Sequence, residues 1–258
     1  MGSKGSTRHS KRLSAPITYA IKRKHGVFTI RPHPTRGSFE TAIPLGIVLR
    51  EILGYAKTLN EVKKILVRKL VKVDGKVRTD YKFAIGPMDV LEITKTQEFF
   101  RLVPYQGKRL YTLHPITEED AKRKILQVKK KNSLHGGLTQ FTFHDGRTLA
   151  MSSTEETQLP IQEISPKDSV LYNLETNEMV EHYPFAEGNY GLIAGGRHVG
   201  LLGKITEIES QIGRKLRTIT FQTEEGEIKT ADTHIFIVGK DKVMVSLPEP
   251  TGETKDES

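Results

Sequence analysis

Apolar residues recur at three- and four-residue intervals in one stretch of the chain and alternate with polar ones over much of the rest. Leu45, Val48, Leu49, Ile52, Leu53 and Ala56 follow the i, i+3, i+4, i+7 rhythm of an amphipathic helix. Pro44 suits the first turn of that helix, where a missing N–H matters least. Thr58-Leu59-Asn60-Glu61 has the form of a capping box opening a second helix. Val62, Ile65 and Leu66 form the apolar side of this helix, and Lys63, Lys64, Arg68 and Lys69 occupy much of the remainder. Val71-Lys72-Val73 and Lys76-Val77-Arg78 flank Asp74-Gly75, a strong two-residue hairpin signal. Val90-Leu91-Glu92-Ile93 reads as a further strand.

Outside this unit the pattern changes. Residues 1–40 form a Gly/Ser/Pro-punctuated arm with little periodicity; its few apolar residues, Val27, Phe28 and Ile30, suffice for an anchor but not for a core. Such a segment is expected to be extended on its own and ordered by a phosphate-rich partner. Residues 115–131 read as another helix, with Pro115 and Thr117-Glu118-Glu119-Asp120 in its first turn and lysines towards its end, as the helix dipole favours. Beyond it, Leu138 to Phe143, Val170-Leu171-Tyr172, Thr218 to Thr223 and His234 to Val238 are short β-type runs between turn residues, the look of small barrels. The fold class expected is α+β multidomain. It comprises a basic arm (1–40), a two-helix plus β-hairpin module (41–110), a central β-rich domain (111–188), a C-terminal SH3-like barrel (189–248) and an acidic tail (249–258).

Charge adds direction to this layout. The 258 residues carry a formal +9. Residues 1–131 hold 29 Lys and Arg against 11 Asp and Glu, whereas residues 132–258 hold 11 against 20. No acidic residue precedes Glu40. So polarised a chain points one end at a polyanion. With 36% hydrophobic residues the chain can build real cores, but no apolar run approaches the length of a membrane span, and the N-terminus lacks the apolar centre of a secretory signal. Absence of cysteine excludes disulfides, thiolate zinc sites and a cysteine nucleophile, and is compatible with a reducing compartment.

The clustered bases suggest a phosphate-binding platform: Arg50 and Lys57 on the first helix, Lys63, Lys64 and Arg68 on the second, Lys76 and Arg78 on the hairpin. Any one of these could simply belong to a solvated helix face; the set, beside an acid-free arm, favours RNA. Leu70 to Asp80, preceded by Glu61-Val62-Lys63-Lys64-Ile65, resembles the RNA-binding module of the ribosomal S4 superfamily. His9-Ser10-Lys11-Arg12-Leu13-Ser14-Ala15-Pro16, Met88-Asp89-Val90, Phe100-Arg101-Leu102, Ile235 to Lys240 and Val245-Ser246-Leu247-Pro248 are similar to the eukaryotic and archaeal S4e family of small-subunit ribosomal proteins. The resemblance covers nearly the whole chain. It weakens after Pro248, where family members often continue with a basic extension and this chain turns acidic. Gly195 to Ile205 resembles a KOW motif, with Arg197, His198, Gly200, Gly203 and Lys204 as its notable residues; Gly200 and Gly203 permit backbone angles or approaches that other residues resist. A β-turn without a ligand is the alternative to direct RNA or protein contact there.

The resemblance implies a ribonucleoprotein component bound to small-subunit ribosomal RNA and to neighbouring ribosomal proteins, in the cytoplasm and, in a eukaryote, in the nucleolus during assembly. Lys4, Arg8, His9, Lys11, Arg12, Lys22, Arg23 and Lys24 would thread the arm into RNA, while the helical platform docks on phosphates. No cofactor, metal, membrane or small-molecule substrate is expected. His198 breaks both the P-loop and the dinucleotide-binding patterns. The apolar centre of Gly200-Leu201-Leu202-Gly203 and its strand-rich surroundings argue against a KH clamp loop. The histidines show no metal-ligand spacing. His135, Asp145 and Ser152 have no spacing that supports a triad, and the paired Glu118 and Glu119 read as a helix start. The alternatives are an RNA-modifying enzyme of the pseudouridine-synthase type, for which His144-Asp145-Gly146-Arg147 would be the nearest catalytic loop but reads better as a hairpin turn, and a free translation regulator.

Overall fold

The computed structural model describes residues 9–34, 36–37, 39–105, 110–152, 161–209, 217–223, 226–240 and 242–248. Three five-stranded antiparallel sheets dominate, joined by short helices near the N-terminus. The arm is folded back rather than extended: β1 (Ser10–Lys11) pairs with β2 (Phe28–Thr29). Arm residues Ala15, Tyr19, Ile21 and Ile30 are buried in the core of the following module, while Val27 and Phe28 stay exposed. Apolar burial at these four positions explains why the expected extended conformation gives way.

In the first module β3 (Ile43–Pro44) pairs with β6 (Ala84–Ile85) and leads directly into α1 (Leu45–Ile47), which widens into a π-helical turn over Val48–Ile52. Pro44 therefore precedes the helix instead of lying in its first turn. Gly46 is required by packing, since a Cβ there would lie 2.8 Å from Ile30 Cδ1 and 3.1 Å from the Tyr81 carbonyl. Thr58 caps α2 (Leu59–Val67) by accepting from the Glu61 N–H, and the Glu61 carboxylate accepts in return from Thr58. β4 (Val71–Val73) and β5 (Lys76–Val77) form the hairpin around Asp74 and Gly75, whose φ values of 50° and 74° are those of a type I′ turn. With β7 (Val90–Ile93), β8 (Glu98–Pro104) and β9 (Tyr111–Ile116), the sheet order is β5-β4-β7-β8-β9. The last strand of this sheet ends at Ile116.

Capped by Thr117, α3 (Glu118–Ala121) lasts four residues only, and the chain then enters the 11-residue strand β10 (Arg123–Ser133). The helix expected over residues 115–131 stops there because residues 124–128 are buried on both faces. Leu126 and Val128 point into the central core, and Ile125 joins a second core. β10 lies at the middle of a sheet ordered β12-β11-β10-β13-β14, with β11 (Leu138–Phe143), β12 (Thr148–Ser152), β13 (Ser169–Asn173) and β14 (Glu178–Tyr183).

The C-terminal sheet is ordered β18-β17-β16-β15-β19, from β15 (Tyr190–Ile193), β16 (Leu202–Glu209), β17 (Thr218–Thr223), β18 (Gly226–Ala231) and β19 (Ile235–Gly239). Among the described residues β18 and β19 are its edges. β19 lies against β10, β13 and β14. One apolar core, holding Met88, Val103, Ile125, Leu171, Phe221 and Phe236, is shared by all three modules. No helix among the described residues is long and apolar enough to cross a membrane.

Candidate nucleic-acid interface

Basic groups fall into two classes, those that face outward and those drawn into the protein. Lys11, Lys22 and Lys24 of the arm are exposed, as are Lys57, Lys63, Lys64, Arg68 and Lys76 of the module. The outward groups of α2 and the hairpin come from one short element each, because α2 buries Val62 and Leu66 against the core and leaves its lysines on the opposite side. Lys63 sits with its Nζ 5.2 Å from the centre of the Tyr81 ring. His9 is exposed, its ring 5.6 Å from that of Phe28. Lys4 and Arg8 lie outside the described residues.

Several of the bases expected to face RNA also make intramolecular contacts. Arg12 is only 5% exposed. Its Nη2 is 2.8 Å from the Glu51 carboxylate, and its Nη1 donates to the Lys22 carbonyl at 3.0 Å. Arg23 donates to the carbonyls of Arg12, Ala15 and Pro16, clamping the arm's loop. Arg50 is half-buried and shares Glu51 with Arg12. Arg78, also half-buried, stacks 4.2 Å above the Phe83 ring centre, and burial, then the nearby Arg36 charge, pulls its pKa below the ordinary value. Counting charges along a sequence cannot separate these contacts from outward groups, since both lie in the same basic stretches.

A second constellation was not anticipated. Asp74, Asp89 and Asp145 bring carboxylate oxygens within 4.8 Å of one another in the interior, a set that could in principle hold a metal ion. Lys124 occupies its centre, with Nζ 2.8 Å from Asp74, 2.5 Å from Asp89 and 3.1 Å from Asp145. Arg36 reaches Asp74 at 2.5 Å and Asp89 at 2.6 Å, and Arg147 reaches Asp74 at 2.8 Å and Asp145 at 3.0 Å. Three acids thus meet three bases, and the ammonium fills the place a cation would take. Burial would raise the Asp74 pKa, but Lys124, Arg36 and Arg147 hold it well below the carboxylate range. Burial would likewise lower Lys124, yet the three carboxylates raise it. The bases come from the arm and the central domain, the acids from the first module and the central domain, so the cluster is an inter-module joint.

Asp145 faces Lys124 and Arg147, while His135 is exposed in the turn between β10 and β11. His144-Asp145-Gly146-Arg147 is the turn joining β11 to β12, closed by Phe143 N–H to the Arg147 carbonyl at 2.9 Å, with Gly146 at φ 84°. In the C-terminal motif Gly200 has φ 89°, and a Cβ on Gly203 would stand 2.8 Å from the Gln222 carbonyl. Val199 and Leu201 are buried, whereas Arg197 and Lys204 are exposed and His198 is half-buried.

These features define a modular α+β protein with a cationic first half. Family descriptions match it in succession: an RS4NT (NUC023) domain over residues 4–34, an S4 domain over 44–91 and Ribosomal family S4e over 96–179. The small ribosomal subunit protein eS4 of Ignicoccus hospitalis is 37% identical over 248 residues, covering 95% of this chain and 96% of that protein. The eS4 of Methanopyrus kandleri is 36% identical over 251 residues, 94% and 96% of the two chains. The crystal structure of the 30S ribosomal protein S4e from Thermoplasma acidophilum superposes with a TM-score of 0.64 at 30% identity, covering 78% of this chain and 96% of that one. The chain belongs to the S4e (eS4) family of small ribosomal subunit proteins.

Proposed function

We propose that the protein is a structural constituent of the small ribosomal subunit that binds ribosomal RNA and supports subunit assembly and translation. The observation that carries this is the run of outward cations, Lys11, Lys22, Lys24, Lys57, Lys63, Lys64, Arg68 and Lys76, on the arm and first module of a chain that aligns along its length with eS4 proteins. Phosphate contacts by these groups position the protein without reading sequence. Lys4, Arg8, His9, Arg12, Arg23, Arg50 and Arg78 would join them in contacting phosphate, with Arg12 and Arg23 also holding the arm in shape. Neighbouring ribosomal proteins are the second class of partner, and the working place is the ribosome in the cytoplasm, with a nucleolar stage if the source is a eukaryote.

The modules assigned are the arm to residue 40, an S4-type domain over 41–110, a central domain over 111–188, a KOW-like barrel over 189–248 and an acidic tail to 258. Support for the barrel is twofold. Register shifts at Tyr190/Gly191 and Ile205/Glu207 bend its strands, and Gly203 lets β16 approach β17 closely. Arg197, His198 and Lys204 would then be its contact residues. In a sucrose gradient of cell lysate, the protein is expected in equimolar amounts with small subunits and retained until high salt. Its recovery mainly at the top of the gradient at low salt would favour a free regulator or modifying enzyme.

A further inference from the structure

Between the arm and the first module run two adjoining depressions, of about 320 Å³ and about 530 Å³, which share Phe28 and Arg50 as lining residues. The smaller one adds Tyr81, Lys82 and Arg31, with no acid on its wall. The larger adds Lys22 and Lys57, and its one acid, Glu51, is already held by Arg12 and Arg50. Cations alone would suit any phosphate. The aromatic rings ask for something more specific. Phe28 is 60% exposed, although burying a phenyl ring is ordinarily favourable. Its backbone is paired with Lys11 in the β1–β2 ladder, and its ring lies 5.6 Å from that of His9. Tyr81 has two ammonium groups near its ring, those of Lys63 and Lys82 at 5.2 Å and 5.7 Å from its centre.

We propose that this groove accepts an unpaired RNA nucleotide, its base stacked on Phe28 beside Tyr81 and its flanking phosphates held by Arg50, Lys82 and Lys22. Every base offers a π face, so stacking of this kind is tolerant of sequence but demands a base that has left its helix. The site is thereby selective for a bulge, loop or single strand over a duplex. The inference rests on the RNA-binding reading above and names the form of RNA taken at one part of that surface.

The test uses the full chain and two probes of equal length: a mixed-sequence single-stranded RNA carrying 4-thiouridine, and the corresponding duplex. Phe28→Leu is expected to weaken the single strand by about five- to twentyfold and leave the duplex unchanged. Phe28→Tyr should retain wild-type binding. Irradiation should cross-link the single strand to the peptides holding Phe28 or Tyr81. An unchanged single-strand affinity in Phe28→Leu overturns the base pocket, and so does an equal loss on both probes, which would mean that the ring only shapes the arm. The Lys63→Glu/Lys64→Glu variant judges the wider reading separately. If it lowers affinity and the salt slope on both probes while Phe28→Leu does nothing, RNA binding stands and the pocket falls. If it too changes nothing, both readings fall.

Discussion

Lys124 shows what a single side chain can hold together. It is 0% exposed, and all three of its ion pairs are to buried carboxylates. Taking such charges out of water is costly, and the cost is offset only while every partner is present. Replacing Lys124 with methionine keeps most of the volume and leaves Asp74, Asp89 and Asp145 facing Arg36 and Arg147 alone. The expected loss is about 3–5 kcal/mol of unfolding free energy, read from urea titrations at neutral pH. Adding Asp89→Asn to that variant should recover part of it, because one uncompensated charge disappears. A loss below about 1 kcal/mol for Lys124→Met would show that the joint is not what couples the modules. The pKa shifts set the range over which the joint works. Asp74 and Asp145 are depressed, so their contribution is present above the free carboxylate range and fails as pH falls below it. Lys124 is raised, so its contribution is present below the free lysine range and fails only as pH rises through its own higher value.

Among the elements, the hairpin and the strand after α3 mark the two ends of what a sequence makes legible. Asp74-Gly75 could be read in advance because a type I′ turn needs positive φ at both residues, a local demand that Asp-Gly meets. The α2 cap was legible for the same reason: Thr58 and Glu61 satisfy each other's backbone across three residues. Residues 123–131 misled because Arg123, Lys124 and the later lysines after three acids imitate a dipole-matched helix. What makes them a strand is non-local, namely neighbours β11 and β13 and cores on both faces. The three acids around Lys124 lie 50, 35 and 21 residues away in sequence, so nothing nearby announces the joint. The outward lysines of α2 were readable from periodicity, whereas the inward turn of Arg12 depended on Glu51, 39 residues on. Gly203 belongs to the legible class and can be tested as such. Its added Cβ would meet the Gln222 carbonyl and Thr223 Cγ2, each at 2.8 Å. The neighbours are strand backbone and a β-branched side chain with little room to move, so Gly203→Ala is expected to cost about 1–3 kcal/mol. Faster amide exchange should be confined to β16 and β17 and spare α2. Wild-type exchange across β16 and β17 would contradict the close approach.

Across the whole molecule, the three modules meet at His144 as well as at Lys124. The Gln127 N–H donates to His144 Nδ1 at 3.1 Å, which assigns the proton to Nε2, and Nε2–H then donates to the Pro87 carbonyl at 3.2 Å. The ring stands edge-on to Phe236, 4.9 Å between centres, and the neighbouring Gln127 side chain donates to the Ile235 carbonyl at 2.7 Å. One imidazole of the central domain therefore touches the first module and the C-terminal sheet together, in a tautomer that only the neutral ring can adopt. Burial first, then the Lys124 charge, brings its pKa down to about 4, although Asp145 and Asp89 pull the other way. In the unfolded chain a histidine titrates near 6.5. Between these values the unfolded state binds the extra proton, so stability is full above pH 6.5 and falls as pH drops towards 4. The fall attributable to His144 is on the order of 2–3 kcal/mol. Half-buried His114, lowered by burial and by Arg101, adds a smaller slope of the same sign. Asp74 and Asp145, both depressed, lose their contribution mainly below this window. Urea midpoints at half-unit steps from pH 7 to pH 4 should decline steeply in the wild type and more gently in His144→Gln, which can still offer a donor and an acceptor but cannot charge. Limited proteolysis at pH 5 should then separate the central domain from its neighbours in the wild type before it does so in the variant. If the two proteins show parallel pH profiles, the docking of the modules does not depend on a neutral His144.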